Sequence, residues 1–371
     1  MFAKGQTVIQ YMEQLAPKHL AEDWDKIGLQ LGTLQKEITN VLVALDVNDE
    51  VVEEAIRLGC NLIIAHHAII FRPLQGIQTD TPAGKMYEKL IKNDIAVYIS
   101  HTNLDVTEGG MNDWMAEALG IENGVPIKDI HSEQLSKLVV FVPKDHHQKV
   151  LDAILNAGAG AIGNYSHCSF NIEGYGTFIP GEGTDPYIGE KGKMERAEEI
   201  RIETIVPHSI RNKVVQAMLK AHPYEEVAYD LYSMDLKGRS LGLGRVGKLK
   251  EPTTLGQFVE TVKKGLKVDH VRVVGDLDRP IRKAAVLGGS GGKYYNSAIF
   301  RGADVLVTGD LDYHTVQDAA LAGITLIDPG HNAEKIMKEK VAEWMAGKLA
   351  EHKYDTAVHA SQVNTEPFKF L

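Results

Sequence analysis

The stretch 41-VLVALDVNDEVVEEAIRLGCNLIIAHH-67 decides the fold. Its opening residues, 41-VLVALD-46, make an apolar run of strand length, 49-DEVVEEAIRLG-59 has helical spacing, and 60-CNLIIA-65 is a second unbroken apolar run that stops at His66 and His67. Strands that are continuously apolar rather than alternating, joined through a helix, mark a βαβ unit whose parallel strands are buried on both faces. Two adjacent imidazoles at the end of such a strand are a chemical oddity that a buried strand alone does not explain.

The same pattern returns late in the chain, where 284-AAVLGG-289, 294-YYNSAIFRG-302 and 303-ADVLVTGD-310 repeat strand, helix and strand. At a constant offset of 243 residues, Gly59 falls on Gly302, Val43 on Val286, Gly32 on Gly275, Leu34 on Leu277 and Ile38 on Ile281, without a gap. Each unit continues to one more apolar strand, 95-IAVYIS-100 and 324-ITLID-328, and each of these leads to a histidine, His101 and His331. The chain therefore reads as two related α/β halves, and such halves commonly build a site where they face each other.

The rhythm changes between the halves. There the strand 137-KLVVFVP-143, the helix 146-HHQKVLDAILNAG-158, strand-like pieces around 169–174 and 201–206, the helix 209-SIRNKVVQAMLKAHPY-224 and the strand 227-VAYDLYSM-234 follow in order. The succession β-α-β-β-α-β is the ferredoxin-like motif, with 181-GEGTDPYIGEKGK-193 as a long loop. The expected organisation is an α/β protein with a duplicated three-layer α/β/α core: a first half over 1–126, an inserted ferredoxin-like α+β domain over 127–235, and a second half over 236–371.

Composition narrows the function. A net charge of -10 argues against a nucleic-acid backbone as partner, since that binding is carried by clustered Lys and Arg. Apolar runs fall short of the roughly 20 residues of a membrane span, and 1-MFAKGQTVIQYMEQL-15 has the pattern of an amphipathic helix rather than of a signal peptide. Two cysteines, Cys60 and Cys168, make no CxxC pair and no disulfide framework. A cytoplasmic protein is expected, and any metal must rest on His, Asp and Glu.

Metal-capable side chains stand just after three predicted strands: His66 and His67, then His101 and Asp105 in 101-HTNLD-105, then His331 and Glu334 in 330-GHNAE-334. Parallel sheets gather function at the carboxyl ends of their strands. His331 and Glu334 share a face if a helix starts at Gly330, and the consecutive His66 and His67 suit two neighbouring ions better than one. Six donors exceed what one tetrahedral zinc takes, so two divalent cations are expected, zinc first, with manganese and iron as alternatives. Such a site favours a small anionic, phosphate-bearing substrate. A lone histidine beside an apolar strand is more often a hydrogen-bonded core residue, and it is the convergence of three clusters that decides for metal. The pair in 145-DHHQ-148 opens an amphipathic helix and reads as surface. His314, in 309-GDLDYHTVQDA-319, is a candidate proton carrier beside His101. Asp310 takes His67's place in the repeat and either orients a ligand or caps a helix. The run 288-GGSGGK-293 is not a phosphate loop, because Leu287 stands where GxxxxGK needs glycine and Tyr294 replaces the Ser or Thr.

On 24-WDKIGLQLG-32, 62-LIIAHHAIIF-71, 100-SHTNLD-105, 308-TGDLDYH-314 and 329-PGHNAE-334, the chain resembles the GTP cyclohydrolase 1 type 2 homologue family of Nif3-like proteins. The resemblance implies a duplicated α/β/α core, a two-metal site between the halves, and a toroidal homohexamer. Carried over by position, His66, His67, Asp105, His331 and Glu334 match the family's metal ligands and His101 a nearby histidine. It likens the insert to the PII/CutA-like domain of the longer members, and implies GTP cyclohydrolase activity, releasing formate and leaving dihydroneopterin triphosphate. Tyr313 departs from the family pattern, in which many members carry another histidine. The leading expectation is a dinuclear-metal hydrolase acting on a nucleotide-like substrate, with His101 or His314 moving the proton. The alternative is a non-catalytic metal-binding or regulatory scaffold whose insert senses a ligand or partner.

Overall fold

Asn48 accepts a hydrogen bond from the Val51 N–H at 2.9 Å and so starts the helix Asp49–Arg57, whose first turn carries Asp49 and Glu50 against the dipole. Gly59 closes that helix at φ 64°, and its counterpart in the second half, Gly302, takes φ 79°. The other matched pair, Gly32 and Gly275, lies at φ 82° and 127°. The glycines that align across the repeat are thus turns that an L side chain would strain. The structure is a computed structural model that describes residues 1–369.

Two compact units divide the chain: Met1–Ile130 together with the chain from Leu241 onward, and His131–Ser240. The first unit contains two sheets. One orders its strands Ala357–Ala360, Asn40–Ala44, Leu62–Ala65, Ala96–Ile99 and Gly28–Leu31, parallel except for the last pairing. The other runs Arg272–Val274, Thr325–Asp328, Val305–Val307, Pro280–Val286, Arg245–Thr254 and Ile121–Val125. The duplication shows in these pairings. In each sheet the three repeated strands run parallel and are flanked beyond the third by an antiparallel edge, Gly28–Leu31 in one and Arg272–Val274 in the other, while the first sheet adds Ala357–Ala360 as a fourth parallel strand.

Both faces of each sheet are covered, as the unbroken apolar strands require. Val41, Val43, Leu62 and Ile64 share one cluster with Val286, Val305 and Val307 of the second sheet. Between them lie residues of the helices Gly5–Leu15, Met111–Ala118, Leu255–Leu266 and Ile336–Glu351. The alternate residues Leu42, Ala44, Ile63 and Ala65 pack on Val51, Val52, Tyr87 and Leu90 of the outer helices. Ala285, Leu287 and Leu306 do the same with Ala298 and Ala319. Each half is an α/β/α sandwich, and the two share their central helices. Leu62, Ile63 and Ile64 are all fully buried, contributing about 1.5–3 kcal/mol each.

The second unit carries the strands Lys128–Pro143, Ser169–Phe178, Glu195–Pro207 and Tyr229–Leu243 and the helices His147–Asn156 and Arg211–Ala221. The sheet order is last, first, third, second, which is the ferredoxin-like topology. Its core, including Leu138, Val140, Val150, Ile154, Val214 and Met218, is a separate cluster. The strands run longer than the sequence indicates; Tyr229–Leu243 continues well past Met234. Among the described residues no helix is long and apolar enough to cross a membrane.

Candidate metal centre

The strand Leu62–Ala65 ends just before His66, so both histidines lie beyond it, their ring centres 5.1 Å apart and the rings inclined at 53°. The strand Ala96–Ile99 stops before Ser100, and His101 precedes the short helix Thr102–Val106, which presents Asp105. Thr325–Asp328 leads through Gly330, at φ 78°, into a single 3₁₀ turn, His331–Lys335. The turn is 3₁₀ rather than α-helical, and in that geometry residues i and i+3 eclipse, so His331 and Glu334 still face the same way.

These ends converge within the first unit. Glu334, only 3 % exposed, stands at the centre. Its Oε2 lies 3.2 Å from His67 Nε2 and 3.2 Å from His331 Nε2, and those two nitrogens are 3.2 Å apart. Its Oε1 lies 3.8 Å from His66 Nε2, which is 3.7 Å from Asp105 Oδ1. Two donor triads therefore share one carboxylate. His101 joins the first side, its ring centre 4.9 Å from that of His66 and 5.7 Å from that of His67.

Every imidazole in the group is held by its Nδ1. His66 Nδ1–H donates to the Ser100 carbonyl at 2.9 Å, His67 to Asp46 at 2.6 Å, His331 to Asp310 at 2.6 Å and His101 to Asp25 at 3.0 Å. An anchored Nδ1–H turns Nε2 inward, so each ring can give its Nε2 lone pair to a metal ion once any proton held there is displaced.

Charge points the same way. Burial pushes the Asp105 carboxyl up to about 6, with Glu334 adding to the shift. Burial would also raise Glu334, but hydrogen bonds from His331 and His67 hold it well below the usual carboxylate range. Against the cost of their own burial, Asp46 and Glu334 raise His67 to about 10, and the bond to Glu334 raises His331 to about 9. Two buried carboxylates, Glu334 and Asp105, stand among the four imidazoles, a set that favours positive charge between them.

The donors fit divalent cations. His66 Nε2 and Asp105 Oδ1 are buried and have no hydrogen-bond partner, a costly arrangement for polar atoms with no further role. A tetrahedral ion with bonds near 2.1 Å keeps its ligands about 3.4 Å apart; the donor spacings here, 3.2 to 3.8 Å, bracket that value. His67, His331 and Glu334 can hold one ion and His66, Asp105 and Glu334 another, while His66, His67 and His101 form a third group of converging donors.

The model of the family Duf34/NIF3 (NGG1p interacting factor 3) matches residues 3–367. The chain belongs to this family. A relative from Halalkalibacterium halodurans, named GTP cyclohydrolase 1 type 2 homolog, is 54 % identical over 369 residues, 100 % of this chain and 99 % of the relative. One of the same name from Bacillus subtilis is 50 % identical over 367 residues, covering 99 % and 98 %. The crystal structure of a Bacillus cereus protein related to NIF3 superposes with a TM-score of 0.88 at 54 % identity, over 100 % of both chains.

In this Duf34/NIF3 chain the structure brings His66, His67, His101, Asp105, His331 and Glu334 together and leaves His314 apart. His314 is exposed in the first turn of the helix Tyr313–Leu321, against the ring of Tyr313, and belongs to none of the donor groups. Its backbone N–H is taken by Asp312, which caps that helix and frees Asp310 for His331. Sequence reasoning overlooked Asp25 and Asp46. Asp46 is legible in hindsight as a carboxylate ending a strand beside the one that ends in His67. The glycine run also acquires a purpose: a Cβ at Gly288 would press on Glu334 Oε1 at 2.8 Å, so 288–289 is small to admit a ligand rather than a phosphate.

Proposed function

We propose that the chain is a hydrolase using two divalent metal ions, zinc first, on a nucleotide-like, phosphate-bearing substrate, with GTP ring opening as the specific reaction. The observation that carries this reading is the Glu334 carboxylate shared between two triads, one of which leaves His66 Nε2 and Asp105 Oδ1 without partners. The relatives' name, GTP cyclohydrolase 1 type 2 homolog, supports the choice of substrate. Two cations held there would supply Lewis-acid activation of water and neutralise charge developing on the substrate.

The chain's own residues supply the rest. His101, held through Nδ1 by Asp25 and grouped with His66 and His67, would move the proton in this reading. Asp25 is held down to about 2: burial opposes this, and bonds from His101 and Thr102 outweigh it, so it anchors the ring as a carboxylate. A cleft of about 730 Å³ opens from His67, His101 and His331 and carries Arg272 and Lys369 on its wall, cations suited to phosphate oxygens. Trp24, half exposed, sets its ring 6.0 Å from His101 and 6.3 Å from Phe71, giving a flat apolar surface for a base.

The test is to supply metal-loaded protein with GTP and look for formate and a pterin triphosphate. His101→Gln is expected to lower kcat at unchanged metal content. If neither GTP nor a panel of phosphoesters is turned over, the enzymatic reading is wrong.

A further inference from the structure

The His131–Ser240 unit holds a second pocket, of about 470 Å³, built only from its own residues. The walls are aromatic: Phe141, Tyr175, Phe178, Tyr187 and Tyr224. Phe178 and Tyr187 set their ring centres 6.2 and 6.1 Å from that of Tyr224. Glu199, 8 % exposed, lines the same pocket, and its Oε1 accepts the Tyr224 hydroxyl at 3.0 Å. On the neighbouring strand stands Gly176, where any Cβ would collide with Glu199 Oε2. The backbone has been cleared to seat this carboxylate.

No Lys, Arg or His among the described residues forms an ion pair with Glu199, although it is more than nine-tenths buried. A buried carboxylate without a cation is expensive unless something positive joins it. Glu225 and Glu226 on the pocket wall add negative potential. Aromatic faces around an uncompensated carboxylate form the environment that selects organic cations over neutral or anionic molecules. Two of the pocket's aromatics already carry such contacts on arginines of the unit itself, with the Arg196 guanidinium 3.6 Å from the Tyr175 ring centre and that of Arg201 5.8 Å from the Phe141 ring centre.

We propose that this pocket binds a small organic monocation, an ammonium or guanidinium on an apolar body, with its N–H groups on Glu199 and its body between the rings of Tyr187, Tyr224 and Phe178. The site is independent of the metal centre and of the reaction proposed there.

Calorimetric titration of the full chain with phenethylammonium and with its neutral isostere 2-phenylethanol tests this. The two have the same heavy-atom skeleton and differ in charge. The cation should bind about tenfold or more tightly than the alcohol, the span of a charge-assisted hydrogen bond. Glu199→Gln, which keeps the shape and an acceptor for Tyr224, should abolish that preference, weakening the cation about tenfold or more and the alcohol by clearly less. Tyr187→Leu, on a half-exposed wall that does not touch Glu199, should weaken the cation by about tenfold without the folding risk of a buried change. Equal binding of cation and alcohol, a cation preference that survives Glu199→Gln, or no binding of the cation to folded wild-type protein at about 10 mM would each overturn the proposal.

Discussion

Asp46→Ala is the substitution whose consequence follows most directly from the geometry. Asp46 is not itself a donor of either triad; it accepts His67 Nδ1–H at 2.6 Å and the Thr365 hydroxyl with its other oxygen. Removing such a partner from a metal-binding histidine costs about 10- to 100-fold in affinity, or 1.4–2.7 kcal/mol. Asp46's side chain is 37 % exposed and that of His67 23 %, so water screens part of the charge effect and the loss falls at the lower end, about tenfold. The loss should be confined to the ion held by His67 and His331, because His66 and Asp105 have separate supports in the Ser100 carbonyl and the helix Thr102–Val106. Thr365→Ala removes the remote hydrogen bond and keeps the carboxylate, so its effect should stay under about threefold. Competition against a chromogenic chelator at fixed pH and ionic strength resolves the two binding steps. Unchanged binding in Asp46→Ala, or equal weakening of both steps at intact fold, would refute the assignment of Asp46 to His67.

Arg245 is buried and donates to both Asp113 oxygens and to the carbonyls of Thr107, Gly242 and Gly244, joining the two halves; Arg245→Met should cost about 3 kcal/mol in urea unfolding. His222 is neutral by construction, its Nε2–H donating to the Phe141 carbonyl and its Nδ1 accepting the Tyr224 N–H, and burial holds its pKa below the usual value. The unfolded chain then takes up the proton first as pH falls below about 6.5, so stability drops as pH falls through that value, by at most about 1.4 kcal/mol per pH unit. His222→Gln should flatten that dependence in urea titrations at pH 7 and 5. The homohexamer implied by the family resemblance gives a light-scattering mass six times the 40.8 kDa chain; a monomer would contradict it.

The architecture was legible because burial on both faces forces unbroken apolar strands, and because the turns of the repeat demand glycine at matched positions. Gly59 and Gly302 align for that reason. The donors were legible as side chains placed just beyond strand ends, which is a matter of chain position. What the sequence could not convey was orientation across distance. Asp25 reaches His101 from a loop far upstream, and nothing local to 24-WDKIG-28 marks its target. His314 misled because it lies close in sequence to Asp310, whereas the Asp312 cap turns the helix Tyr313–Leu321 so that His314 faces outward. The buried Glu199 was missed altogether, since a glutamate in a strand of alternating charge reads as solvent-facing until its neighbours are known.

The central claim is that Glu334 is shared by two metal ions. Elemental analysis of the reconstituted protein tests it most directly, on wild type, His67→Ala and Glu334→Ala, each checked for fold. Two ions per chain in wild type, about one in His67→Ala and near none in Glu334→Ala is the expected result. Full metal content in Glu334→Ala, or fewer than two ions in wild type under saturating metal, would contradict it.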